Sequence, residues 1–80
     1  MTAEQQTLLQ RITIVPGLMG GKPTIRGLRF PAADVLELLA SGLSEKEILE
    51  QHPVLEPEDI HAALLYAALK MKNTVTIHAA

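Results

Sequence analysis

The chain has no cysteine, and a single phenylalanine and a single tyrosine among 80 residues. Disulfide bonds and thiolate metal sites are therefore excluded. No apolar run approaches the roughly 20 residues that a membrane span requires. Met1–Gln10 lacks the basic start and long apolar stretch of a secretory leader, so a cytoplasmic location is expected. Repeats and low-complexity tracts are also missing.

What the chain has is aliphatic. Hydrophobic residues make up 48% of it, mostly Leu, Ile, Val and Ala. One domain is expected over residues 1–80: an extension at 1–10, a β segment at 11–30, three helices at 31–73 and a tail at 74–80. A domain this small buries only about 60% of the surface its unfolded chain exposes. With no disulfide to help, oligomerisation is the expected support, and a homodimer the simplest form of it.

Charge is unevenly spread. Residues 1–30 hold Arg11, Lys22, Arg26 and Arg29 against Glu4, a balance of +3; residues 31–80 hold three lysines against eight acids, a balance of −5. Any contact with nucleic acid must come from the front segment, because the whole chain, at −2, is not basic enough to bind by charge alone. Lys22, Arg26 and Arg29 are the candidate DNA-contacting residues, doubled in a dimer and entering a groove as a β-ribbon. A solvated surface with intrachain pairing, or contact with a protein partner, are the competing roles for these cations.

The local patterns place the elements. Thr2 with Gln5 marks the start of a short helix over Thr2–Gln10. Arg11–Val15 alternates and is β-branched, which predicts a strand. Pro16-Gly17 and Gly20-Gly21 break the chain. Thr24–Arg26 predicts a short returning strand, with Gly27 free to take a bulge or a positive φ. Pro31 opens a helix whose apolar face is Val35, Leu36, Leu38 and Leu39, ended by Gly42. Ser44 and Glu47 form a capping box, with Ile48 and Leu49 as buried positions and Pro53 as the stop. Glu56-Pro57-Glu58-Asp59 opens the last helix, its acids matching the positive helix end. Ile60, Ala63, Leu64, Ala67 and Met71 form one buried stripe. Leu65, Tyr66 and Leu69 lie on a second, the expected dimer interface. Asn73 ends the helix, and Thr74–His78 alternates like a last strand.

The glycines, Lys22 and Thr24 do not make a phosphate-binding loop, because Pro16 replaces its first glycine and Pro23 separates Lys22 from Thr24. His52, His61 and His78 lack the spacing of a metal site. Helix-start duty accounts for Glu45, Glu47, Glu58 and Asp59, and no Ser–His–acid grouping stands out. An enzyme is not expected, and no cofactor is implied. The helices fit a tri-helical DNA-binding arrangement, with Ser44–His52 as its first element and Pro57–Lys72 as the recognition helix. Glu56, Glu58 and Asp59 would repel phosphate there, so that helix is expected to serve as core and dimer interface.

Ile12-Thr13-Ile14, Pro16, Gly20-Gly21-Lys22-Pro23-Thr24-Ile25-Arg26-Gly27-Leu28-Arg29, Leu39-Ala40-Ser41-Gly42-Leu43-Ser44, Ile48-Leu49, His52-Pro53-Val54-Leu55, Glu58-Asp59-Ile60 and Ala62–Ala67 resemble the bacterial and archaeal domain-of-unknown-function 433 family. The resemblance covers residues 11–68. It implies a homeodomain-like helical fold and a place among the antitoxins of toxin–antitoxin pairs, with a PIN-like ribonuclease toxin as partner. The family usually has Thr where this chain has Leu28, which removes a hydroxyl from the basic motif. It usually has Ser or Thr at the opening of the last helix, where this chain has Glu56, a poorer cap.

The expected function is a non-enzymatic, homodimeric antitoxin that binds its own operator DNA and masks a nuclease. Glu45, Glu47, Glu50, Glu56, Glu58 and Asp59 are candidates for mimicking RNA phosphates in that nuclease, against ordinary solvent-facing helix caps. The alternatives are a dimeric protein-interaction module without DNA binding and a small transcription regulator without a toxin.

Overall fold

The structure, a computed structural model, describes residues 1–74, and the side chains of residues 1–72. Its elements run α1 (Ala3–Leu9), β1 (Ile12–Thr13), a short 3-10 turn (Met19–Gly21), β2 (Thr24–Ile25), α2 (Ala32–Ala40), α3 (Glu45–Gln51) and α4 (Pro57–Thr74). The domain is mainly helical, with a two-stranded antiparallel sheet. Among the described residues there are four helices, because the front extension is itself a capped helix. Thr2 accepts from the Gln5 N–H, and Gln5 reaches back to the Thr2 N–H. Apart from Thr74, which ends α4, the strand expected at Thr74–His78 lies outside the described residues.

Both strands are shorter than Arg11–Val15 and Thr24–Arg26. Ile12 pairs with Ile25 and Thr13 with Thr24. Pro23 has no N–H to extend the ladder on one side. On the other, Arg26 and Gly27 turn to φ 46° and 69°, and the Leu28 N–H closes the turn on the Ile25 carbonyl at 2.8 Å. Two consecutive left-handed residues are the signature of a type I′ turn, where Asn-Gly is usual. Arginine at its first position is strained. The sheet still buries Thr24 without loss, because its hydroxyl lies 3.1 Å from that of Thr13.

The helix signals at Gly42 and Ser44 hold, while α4 runs through Asn73, its expected end, to Thr74. The Gly42 N–H reaches the Leu39 carbonyl and the Leu43 N–H that of Leu38, a pattern that needs the left-handed residue at Gly42, whose φ is 99°. Ser44 and Glu47 form the reciprocal capping box at α3. Ile25, Ala32, Val35, Ile48, Leu55, Ile60 and Ala63 make the core. Around it, α4 packs against α1, β1, α2 and α3. Among the described residues, no helix is long and apolar enough to cross a membrane.

The buried stripe of α4 differs from the expected one. Ile60 and Ala63 are buried, but Leu64 and Met71 are 46% and 61% exposed. Asp59 is buried instead. Asp59, Ala63, Tyr66 and Lys70 follow each other at helical three- and four-residue spacing, so the helix is rotated to turn Asp59 inward and Leu64 and Met71 out.

Ser44→Ala is expected to lower unfolding stability by about 1 kcal/mol. Thr2→Ala should cost far less in global stability, because no residue of α1 is buried and its cap is lost in local fraying. Urea unfolding of both variants checks the contrast.

Candidate functional site

The three cations expected to share a DNA face do not. Arg26 turns inward across the strained turn. Its Nε and Nη2 donate to the Asp59 carboxylate at 3.0–3.2 Å, and Nη2 also donates to the Val54 carbonyl at 2.8 Å. Arg11 joins from the residue just before β1, with Nη1 3.0 Å from Asp59 Oδ1 and 2.6 Å from Glu56 Oε1. The Glu56 N–H donates to Asp59 Oδ2 at 2.8 Å. Asp59 therefore sits at the third position of α4 and caps its start from within, while holding two arginines from the front segment. The Asp59 side chain has no solvent exposure; Arg11 and Arg26 keep 28% and 32%, so water still reaches part of the cluster.

The cluster is charge-balanced by geometry. Burial pushes the Asp59 carboxyl up, but Arg26, the Glu56 N–H and Arg11 together outweigh it and hold the group below the ordinary aspartate range. Glu56 and Asp59 each raise the pKa of Arg11 through hydrogen bonds, and Asp59 does the same for Arg26. Glu56, a weaker cap than Ser or Thr, has gained a partner in Arg11. Neither Arg11 as a site residue nor the pairing of Asp59 with the front arginines was read from the sequence: an acid in the first turn of a helix is already explained by the helix dipole. The available signal was Arg-Gly standing where a turn prefers Asn-Gly.

Lys22 and Arg29 are exposed and make no ion pair among the described residues. They flank α2 on different sides. Lys22 borders a groove with Ala33 and Leu36, and Arg29 a second hollow with Asp34, Glu37 and His52. Of the expected dimer residues, Leu65, Tyr66 and Leu69 are half-buried within the single chain, where α1 already takes up part of α4. The acids expected to mimic phosphate are largely engaged. Glu47 is in its cap, Glu45 lies 2.9 Å from His61, and Glu56 and Asp59 hold arginines. His52 packs edge-on against Phe30.

Two outcomes test the cluster. Asp59→Asn should lower stability by about 3 kcal/mol at neutral pH, the cost of breaking a buried charge network. Because the folded-state pKa is depressed, Asp59's contribution is complete above about pH 4, the unfolded aspartate value, and is lost as pH falls through the lower folded value. Denaturation from pH 7 to pH 2 should therefore show the wild type and Asp59→Asn converging below pH 4. Arg26→Asn relieves the backbone by at most about 1 kcal/mol but removes Asp59's main partner, so it should be net destabilising by about 2 kcal/mol, as chemical denaturation would read.

Comparison with known proteins agrees with the family resemblance and the fold. Residues 12–67 match the family model described as Protein of unknown function (DUF433). The uncharacterized protein y4eO of Sinorhizobium fredii (strain NBRC 101917 / NGR234) is 41% identical over 56 residues, which are 70% of this chain and 25% of that protein. The chain thus spans a quarter of that relative's length. A DUF433 member protein from Anabaena variabilis ATCC 29413, solved by crystallography at 2.00 Å, is 34% identical with a TM-score of 0.73, over 85% of this chain and 67% of that one. With the family model covering most of the chain and the solved relative sharing its architecture, this chain belongs to the DUF433 family.

Proposed function

We propose that the domain is a non-enzymatic protein-binding module, acting as the antitoxin half of a toxin–antitoxin pair whose toxin is a PIN-like ribonuclease. The observation that carries the binding role is the redistribution of charge and apolar surface. The cations that would have formed a DNA face are dispersed, with Arg26 committed to Asp59. Ile14, Val54, Leu64 and Met71, by contrast, stay 46–61% exposed. Isolated exposed aliphatics are ordinary; two of these follow each other along the outer side of α4, next to the half-buried Leu65 and Leu69, which makes α4 the natural face for pairing with a second copy. The antitoxin role and the nuclease partner rest on the family resemblance.

Operator binding is the second reading, favoured by one observation: Lys22 and Arg29 project from a segment that the Asp59 cluster fixes in place. Two cations per chain make a small footprint. A homodimer using all of them would neutralise about four phosphates, for a slope of about −3.6 in log affinity against log salt.

Co-expression with a PIN-like ribonuclease encoded in the same operon, where the genome carries one, tests the first reading. A stoichiometric complex and loss of ribonuclease activity are expected; an active nuclease that elutes alone would refute it. Fluorescence anisotropy on the upstream DNA tests the second. Lys22→Ala and Arg29→Ala should each flatten the salt slope, by about 1 for every phosphate no longer neutralised, and an unaltered slope would end the DNA role.

A further inference from the structure

The core-facing side of α4 continues beyond its own cover. Ala63 is buried against the core, and together with Tyr66, Ala67 and Lys70, the next residues on that side, it lines an open groove. Its far wall is Ala32, Ala33 and Leu36 of α2, and Pro23 and Pro31 close one side. Alanines on both walls are too short to meet, so a trough of about 220 Å³ remains. That is below the roughly 300–1,000 Å³ of small-molecule sites, and it suits a few side chains of a docking segment. Lys22 and Lys70 supply its charge, with Lys70 over the Tyr66 ring at 5.5 Å.

We propose that this groove between α2 and α4 docks an amphipathic helical segment of a partner protein, through two or three aliphatic side chains flanked by carboxylates that meet Lys22. A second copy of this chain fits less well. Symmetric pairing would set a concave surface on itself and bring lysine to lysine. An acidic segment fills the trough and complements its rim. The assignment deepens the protein-binding reading by naming the surface and the partner's chemistry.

The probe is a synthetic amphipathic helix of about four turns, with leucines along one face and glutamates beside them; a control carries lysines in place of the glutamates. Titrated into the ¹⁵N-labelled full chain, the acidic peptide should shift the amides of Lys22, Ala33, Ala67 and Lys70. Lys22→Glu should weaken binding about tenfold, and the control peptide should bind at least about tenfold more weakly. Ala33→Trp, at an exposed position that leaves the core intact, should abolish binding. No shift with the acidic peptide, equal binding of both peptides, or full binding by Ala33→Trp would overturn the assignment. So would self-association abolished by Ala33→Trp, which gives the groove to a second copy, or a gain of about tenfold on deleting residues 75–80, which gives it to the chain's own tail. Ala33→Trp also separates the two proposals: a nuclease complex that survives it leaves the protein-binding reading standing and removes the groove, whereas no complex with the unmutated chain removes the reading itself.

Discussion

One carboxylate organises this domain. Asp59 lies out of solvent at the start of α4 and accepts hydrogen bonds from Arg11, Arg26 and the Glu56 N–H. A charge in that position is costly unless every lone pair is met, and here each oxygen has at least two donors. The consequence is mechanical. The front segment, whose strands are only two residues long, is tied to the longest helix by ion pairs spanning 33 and 48 residues of sequence. Replacing the cluster with apolar side chains of equal volume need not destabilise the fold. What the charges add is direction: they set which way Arg26 points and how α4 is rotated.

That rotation links the cluster to the surface. With Asp59 turned inward, Leu64 and Met71 turn outward, and Ala63, Tyr66, Ala67 and Lys70 follow the inward side. The core ends near Ala63 while the same side of the helix goes on. An apolar groove and an exposed aliphatic face therefore arise from one local choice at the start of α4. Arg26 illustrates the same economy. It occupies a left-handed conformation that arginine disfavours, held there by the partners its guanidinium reaches.

The sequence was most legible where the controlling interaction was short in range. Both capping boxes join residues three apart, and the ending at Gly42 depends on one residue's φ, so pattern alone placed them. The rest depended on partners far along the chain. Asp59 at a helix start has a sufficient local explanation, which hid its long-range one. Arg26 looked like one member of a basic cluster because charge counts carry no direction. The stripe on α4 was drawn through its largest apolar residues, and hydrophobicity alone cannot reveal that a paired carboxylate outranks Leu64 for the inner side. Lys22 and Arg29 are exposed, but their separation by α2 is a tertiary fact.

If one carboxylate sets the fold, Arg26 and Asp59 must be energetically coupled, and a double-mutant cycle measures that directly. Arg26→Ala, Asp59→Ala and the double variant, compared by denaturant unfolding at neutral pH, should give a coupling energy of about 2 kcal/mol. Additive single-variant effects, within about 0.5 kcal/mol, would mean that the pair is incidental and that something else joins the front segment to α4.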